Sequence, residues 1–113
     1  MTLIMDSMVL IHLAKVSLLA KSCDYFKKVI IAESIYKEIL KGKEKGMPDV
    51  PVTTKLIKDK KIIVKKADKN LIKKANQFNV QRGEAEAVAL YWQEKAALIA
   101  TDDDNVRKKR MIL

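Results

Sequence analysis

Short apolar runs alternate with stretches of helical periodicity along this chain. Leu3-Ile4-Met5 ends on Asp6, and Leu10, Ile11, Leu13, Ala14, Leu18 and Leu19 then recur at helical spacing to about Ala20, with Asp6 or Ser7 able to cap the helix. Val29 to Ala32 is a β-branched run that predicts a second buried strand. After it Ser34 can cap a helix bearing Ile35, Tyr36, Ile39 and Leu40, which stops at Gly42 or frays to Gly46. Met47 to Pro51 holds both prolines and reads as a loop. Ile62-Ile63-Val64 predicts a third strand, and Asp68 caps a helix with Leu71, Ile72, Ala75 and Phe78 on its face. Arg82-Gly83 breaks the chain before an alanine-rich helix, Glu84 to Lys95, and Ala96 to Thr101 is a fourth strand running into Asp102-Asp103-Asp104. The βαβα order implies an α/β fold with a mostly parallel sheet and right-handed crossovers. Asn105 to Leu113 reads as the opening of another helix, so the single domain is expected to lack a terminal strand and helix, or to borrow them.

Composition narrows the chemistry. At 113 residues, 49% hydrophobic and 33% charged, the chain holds one core and is too apolar to be a disordered tail. Cys23 and His12 are the only residues of their kinds, which excludes disulfide frameworks and Cys/His zinc sites within one chain. Without an intrachain disulfide or a charged leader ahead of a cleavable apolar run, the sequence reads as cytoplasmic, and no apolar run approaches the roughly 20 residues that span a bilayer. The net charge of +9 suits a polyanionic partner and equally a lysine-rich, heat-adapted surface. Carboxylates and lysines are left to carry any catalysis.

Two strand ends carry acids: Asp6, and the triplet Asp102 to Asp104. Ligands of open α/β sheets bind at the C-terminal ends of the strands. Carboxylates gathered there repel one another unless a cation lies among them, so the grouping points to a hard, oxygen-loving ion such as Mg²⁺ or Mn²⁺. Taken singly, Asp6 reads equally well as a helix cap and the triplet as a solvated turn.

Asp6-Ser7 after an apolar strand, Glu38 within Ile35-Tyr36-Lys37-Glu38-Ile39, Gly83-Glu84-Ala85-Glu86-Ala87-Val88-Ala89-Leu90, and Ile99-Ala100-Thr101-Asp102-Asp103-Asp104 together resemble the PIN-domain nucleases. The likeness is greatest to the VapC-type toxins with a GEAEA-like segment. It implies a three-layer PIN-like fold of about four strands and a divalent-metal-dependent endoribonuclease with an antitoxin partner and a homo-oligomeric state. It also implies metal-binding acids at Asp6, Glu38, one of the Gly83-Glu84 helix start, and Asp102, with Asp104 assisting through water. Glu84 is preferred for the third acid because it opens the helix, where the dipole suits an anion. Glu86, on a different face, is the alternative. Glu38 on its own residues reads as a solvent-facing side chain. Ser7 is a candidate hydrogen-bond partner for an acid or a metal-bound water, though Met8 departs from the Ser or Asn many relatives carry. Arg82 and Arg107 flank the acid segments and are candidates to contact the scissile phosphate. Lysines crowd Lys55 to Lys74, a surface that fits RNA binding or simple solvation, since few aromatic residues interleave there.

Two other functions fit the same strand-end acids. One is a degenerate PIN fold that binds RNA or a protein partner without cutting. The other is a phospho-acceptor receiver domain, which fits less well because no late strand ends on a suitable lysine.

Overall fold

Four apolar runs pair into one parallel sheet in the computed structural model, which describes residues 1–44, 50–77 and 82–100. The strands are β1 (Thr2–Met5), β2 (Lys28–Ala32), β3 (Ile62–Lys65) and β4 (Leu98–Ala100), in the order β3-β2-β1-β4. Thr2 lies beside Lys28, Leu3 beside Leu98, and Val29 beside Ile62. The two central strands are buried on both faces: Leu3, Ile4 and Met5 in β1, and Val29 to Ala32 in β2. This explains why they read as unbroken apolar runs rather than alternating ones. Residues of the edge strands β3 and β4 are mostly half-buried or exposed.

The chain moves from β1 to β2 to β3 through α1 (Ser7–Lys15), α2 (Leu19–Phe26), α3 (Glu33–Glu44) and α4 (Val50–Lys58). It then returns across the sheet to β4 through α5 (Lys69–Asn76) and α6 (Arg82–Gln93). Right-handed crossovers put the first four helices on one face and the last two on the other. α2 and α3 pack on β2, and α6 packs on β1, β2 and β4. The result is the three-layer α/β arrangement expected from the alternation of runs. Ala85, Ala87 and Ala89 are buried in α6, and with so little side-chain volume they let the helix lie close to its neighbours. A small second cluster of Ala75, Ala85 and Val88 joins α5 to α6.

The helix ends explain where the observed boundaries depart from the sequence reading. The single helix expected over Ser7 to Ala20 is two, because α1 stops in a Schellman motif: Ser17 N–H donates to Ala14 and Leu18 N–H to Leu13, with Ser17 at φ 61°. α4 and α6 end the same way, with Lys60 (φ 63°) and Lys95 (φ 51°) at the left-handed position. The sequence reading ended a loop at Pro51, but Pro51 is the second residue of α4, where a missing N–H costs nothing. Arg82-Gly83, expected to break the chain, forms the first turn of α6. Asp68 caps α5 as expected, accepting from Asn70 and Leu71 N–H at 2.8 and 3.2 Å. Phe78 lies outside the described residues. Among the described residues, no helix is long and apolar enough to cross a membrane.

Candidate metal centre

The chain leaves β1 toward β2 on one side, while β4 arrives on β1's other side after the return crossing. The strand order therefore reverses between β1 and β4, and the crevice beyond their C-terminal ends is where an open α/β sheet binds ligands. Asp6 stands there. Its backbone is extended, and its N–H continues the ladder by donating to the Ala100 carbonyl at 3.0 Å. Its side chain turns back to cap α1, with Oδ1 accepting from Val9 N–H at 2.8 Å. The residue is 1% exposed, one of two buried polar residues among those described. Burying a carboxylate is costly unless hydrogen bonds or a cation compensate it. Capping is thus part of what Asp6 does, and it fixes the carboxylate at the sheet edge. Ser7 opens α1 half-buried, and Met8 is exposed.

The end of β2 adds a second set of groups. Glu33 and Ser34 begin α3 directly after Ala32. Ser34 was expected to cap this helix. It lies inside the first turn instead, and its hydroxyl donates to Glu86 Oε2 at 2.8 Å. Glu86 is half-buried in α6, between the buried Ala85 and Ala87. A carboxylate in such a run needs a partner, and Ser34 supplies one from 52 residues away. Glu38 is exposed and lies one helical turn beyond Ser34, so the two occupy the same side of α3. Glu33 and Lys37 form an exposed ion pair at 3.4 Å on that helix. Glu84 is half-buried in the first turn of α6, where the helix dipole favours an anion.

The structure therefore brings Asp6, Ser34 and Glu86 to the C-terminal edge from three different parts of the chain, with Ser34 as the link between α3 and α6. Asp102, Asp104 and Arg107 lie outside the described residues, as does the side chain of Arg82. Among the described residues, no three His, Cys, Asp or Glu gather closely enough to hold an ion. The donors at the edge are all oxygens, the set that suits a hard divalent cation and not a soft one. Ser34 is the group sequence reasoning missed. The available clue was its position four residues before Glu38, which places it on the same helix face.

Other ionisable groups show what their surroundings do away from this edge. The Cys23 thiol is buried beside Asp24, which together push its pKa up to about 11 despite Lys61 nearby, so it is a poor nucleophile. A hydrogen bond from Lys65 at 2.6 Å holds the Glu94 carboxyl below its usual value.

Comparison with known proteins agrees with this architecture. Neither the curated proteins nor the solved structures contain a match. The model of the family DUF3368, described as a PIN domain, matches residues 2–110, nearly the entire sequence. With strand-end acids on a parallel sheet of this order, the chain belongs to the PIN-domain family.

Proposed function

We propose that the protein is a divalent-metal-dependent endoribonuclease that serves as the toxin of a toxin–antitoxin pair. In this reading it works in the cytoplasm, forms a homo-oligomer and is held in check by an antitoxin protein. PIN domains are generally nucleases, and the family match supports that much directly. The observation that carries the reading is the buried Asp6 at the point where the strand order reverses. The toxin role, the antitoxin and the oligomer rest on the resemblance of the acid segments to VapC-type proteins.

Asp6 and Glu86 would hold Mg²⁺ or Mn²⁺ together with Asp102, and Glu38, Glu84 and Asp104 complete the acidic set. A bound divalent ion supplies an activated water at neutral pH and offsets the charge that develops on phosphorus. The chain's own contribution is to hold these carboxylates in place. Val9 N–H fixes one oxygen of Asp6, and the Ser34 hydroxyl fixes one of Glu86. Ser7, Arg82 and Arg107 are assigned to the substrate, the two arginines as cations for the scissile phosphate. Histidine has no part in this scheme, and His12 lies on the exposed side of α1.

The test is cleavage of a labelled mixed RNA pool with Mg²⁺ or Mn²⁺, compared with Asp6→Asn. Asparagine caps a helix as well as aspartate does, so the variant should fold normally and lose cleavage. Unchanged cleavage would reject the site. RNA binding without cleavage in the wild type would favour the non-catalytic PIN module instead.

A further inference from the structure

The opposite end of the sheet carries a group of exposed lysines. Register sets Lys28, at the start of β2, directly beside Lys61, which immediately precedes β3. Both are exposed, and adjacent like charges on neighbouring strands oppose sheet pairing. Lys27, Lys60 and Lys95 lie just ahead of β2, β3 and β4, each with positive φ (69°, 63° and 51°). The left-handed region disfavours any side chain with a Cβ, and glycine is the usual residue at the Schellman position that Lys60 and Lys95 fill. All three lysines are exposed. Attraction to a helix C-terminus favours a cation at such positions, and Asp24 and Glu94 each draw one of the adjacent pair, Lys61 and Lys28.

The acids at this pole are Asp24, bonded to Lys61 at 3.2 Å, the exposed Asp59, and Glu94, which Lys65 bonds at 2.6 Å and Lys28 attracts. The Asp24–Lys61 pair ties the end of α2 to the start of β3, and Tyr25 follows Asp24 directly in α2, two residues before Lys27. Tyr25 is 73% exposed, the most exposed of the large hydrophobic side chains described, and its ring is braced edge-on by Phe26 at 5.0 Å. An exposed, braced aromatic ring among cations is the combination that binds single-stranded nucleic acid, with lysines on phosphates and the ring under a base.

We infer that the N-terminal pole of the sheet, formed by Lys27, Lys28, Lys60, Lys61, Lys95 and Tyr25, is a second binding surface for single-stranded RNA. It is separated from the candidate metal edge by the length of the strands, about 15 Å. The inference takes from the nuclease reading only the choice of polymer, and it needs no cleavage.

The experiment is fluorescence anisotropy of a labelled oligouridylate in EDTA, over a salt series, with circular dichroism to confirm that each variant is folded. Lys28→Ala/Lys60→Gly/Lys61→Ala should weaken binding at least about tenfold and make the dependence on log salt shallower by about 2. Tyr25→Leu should weaken it about fivefold or more with the salt slope unchanged. A control that removes the same charge from helices α3 and α5, Lys37→Ala/Lys41→Ala/Lys73→Ala, should bind nearly as the wild type does. Equal loss in the control would overturn the inference, since the binding would then follow net charge alone. Wild-type affinity in the pole variant, or no binding by the wild type, would also overturn it. So would a labelled polyglutamate that binds as tightly as RNA and is indifferent to Tyr25→Leu, because the surface would then fit an acidic protein. Because no metal is present, absence of cleavage elsewhere leaves this result intact, and failure here leaves the metal edge untouched.

Discussion

The two ends of the parallel sheet meet opposite electrostatic problems in opposite ways. At the C-terminal edge Asp6 is buried and Glu86 half-buried, and each is held by a specific donor: Asp6 by Val9 N–H and Glu86 by the Ser34 hydroxyl. At the N-terminal pole the lysines are exposed, and water and counter-ions screen them. Burial forces the acids into fixed positions, which is what ion binding and phosphate chemistry require. Exposure keeps the lysine charges at the solvent, which suits a polymer held by its phosphates without a fixed register. The lesson is that the same fold can pre-organise one end and leave the other adaptable.

The largest effect that could break this contrast concerns the choice between the two glutamates of α6. Glu86→Gln should lower metal-dependent cleavage at least about a hundredfold, whereas Glu84→Gln should cost less than Glu86→Gln under the same conditions. The reverse order would return the site to the first turn of the helix. Next in size, Ser34→Ala should weaken Mn²⁺ binding about tenfold by calorimetry, while Ser34→Thr, which keeps the hydroxyl, should restore most of it. If both variants bind as the wild type does, the hydroxyl only satisfies a buried carboxylate. At the other pole, Lys60→Gly should raise stability by about 0.5–1 kcal/mol in denaturant melts, because it relieves a positive φ. The same change should weaken RNA binding, so stability and affinity move in opposite directions.

The smallest effect concerns Glu94. Lys65 holds its carboxyl below the ordinary value of 4.5, so its contribution is fully present above that pH and is lost as pH falls through the folded value. Its partner Lys65 is about a third exposed, which keeps the worth of the pair to about 0.5–1 kcal/mol. Glu94→Gln should accordingly reduce stability at neutral pH by that amount and flatten the acid limb of the stability profile.

Much of this was legible in the sequence because it depends on neighbours along the chain. The β-branched run before Glu33, the cap at Asp68 and the acid at the end of β1 are local, and each lies where the pattern put it. The split of α1 from α2 was not legible, since the apolar spacing continues through Leu18 and Leu19 while Ser17 takes a conformation usually given to glycine. α4 was hidden because Pro51 suggests a loop until its place in the first helical turn is seen. The hydrogen bond that holds Glu86 comes from Ser34, 52 residues away, a contact no periodicity reveals. That the end of α2 meets the start of β3 depends on Asp24 and Lys61, a contact between residues far apart in the sequence.

The most direct test of the account is calorimetric titration of the protein with Mn²⁺, set beside Asp6→Asn/Asp102→Asn, followed by cleavage of a mixed RNA pool under the same conditions. The account predicts saturable binding and cleavage in the wild type, and loss of both in the double variant with the fold retained. Binding and cleavage that survive in the double variant, or a wild type that neither binds the ion nor cuts, would contradict it.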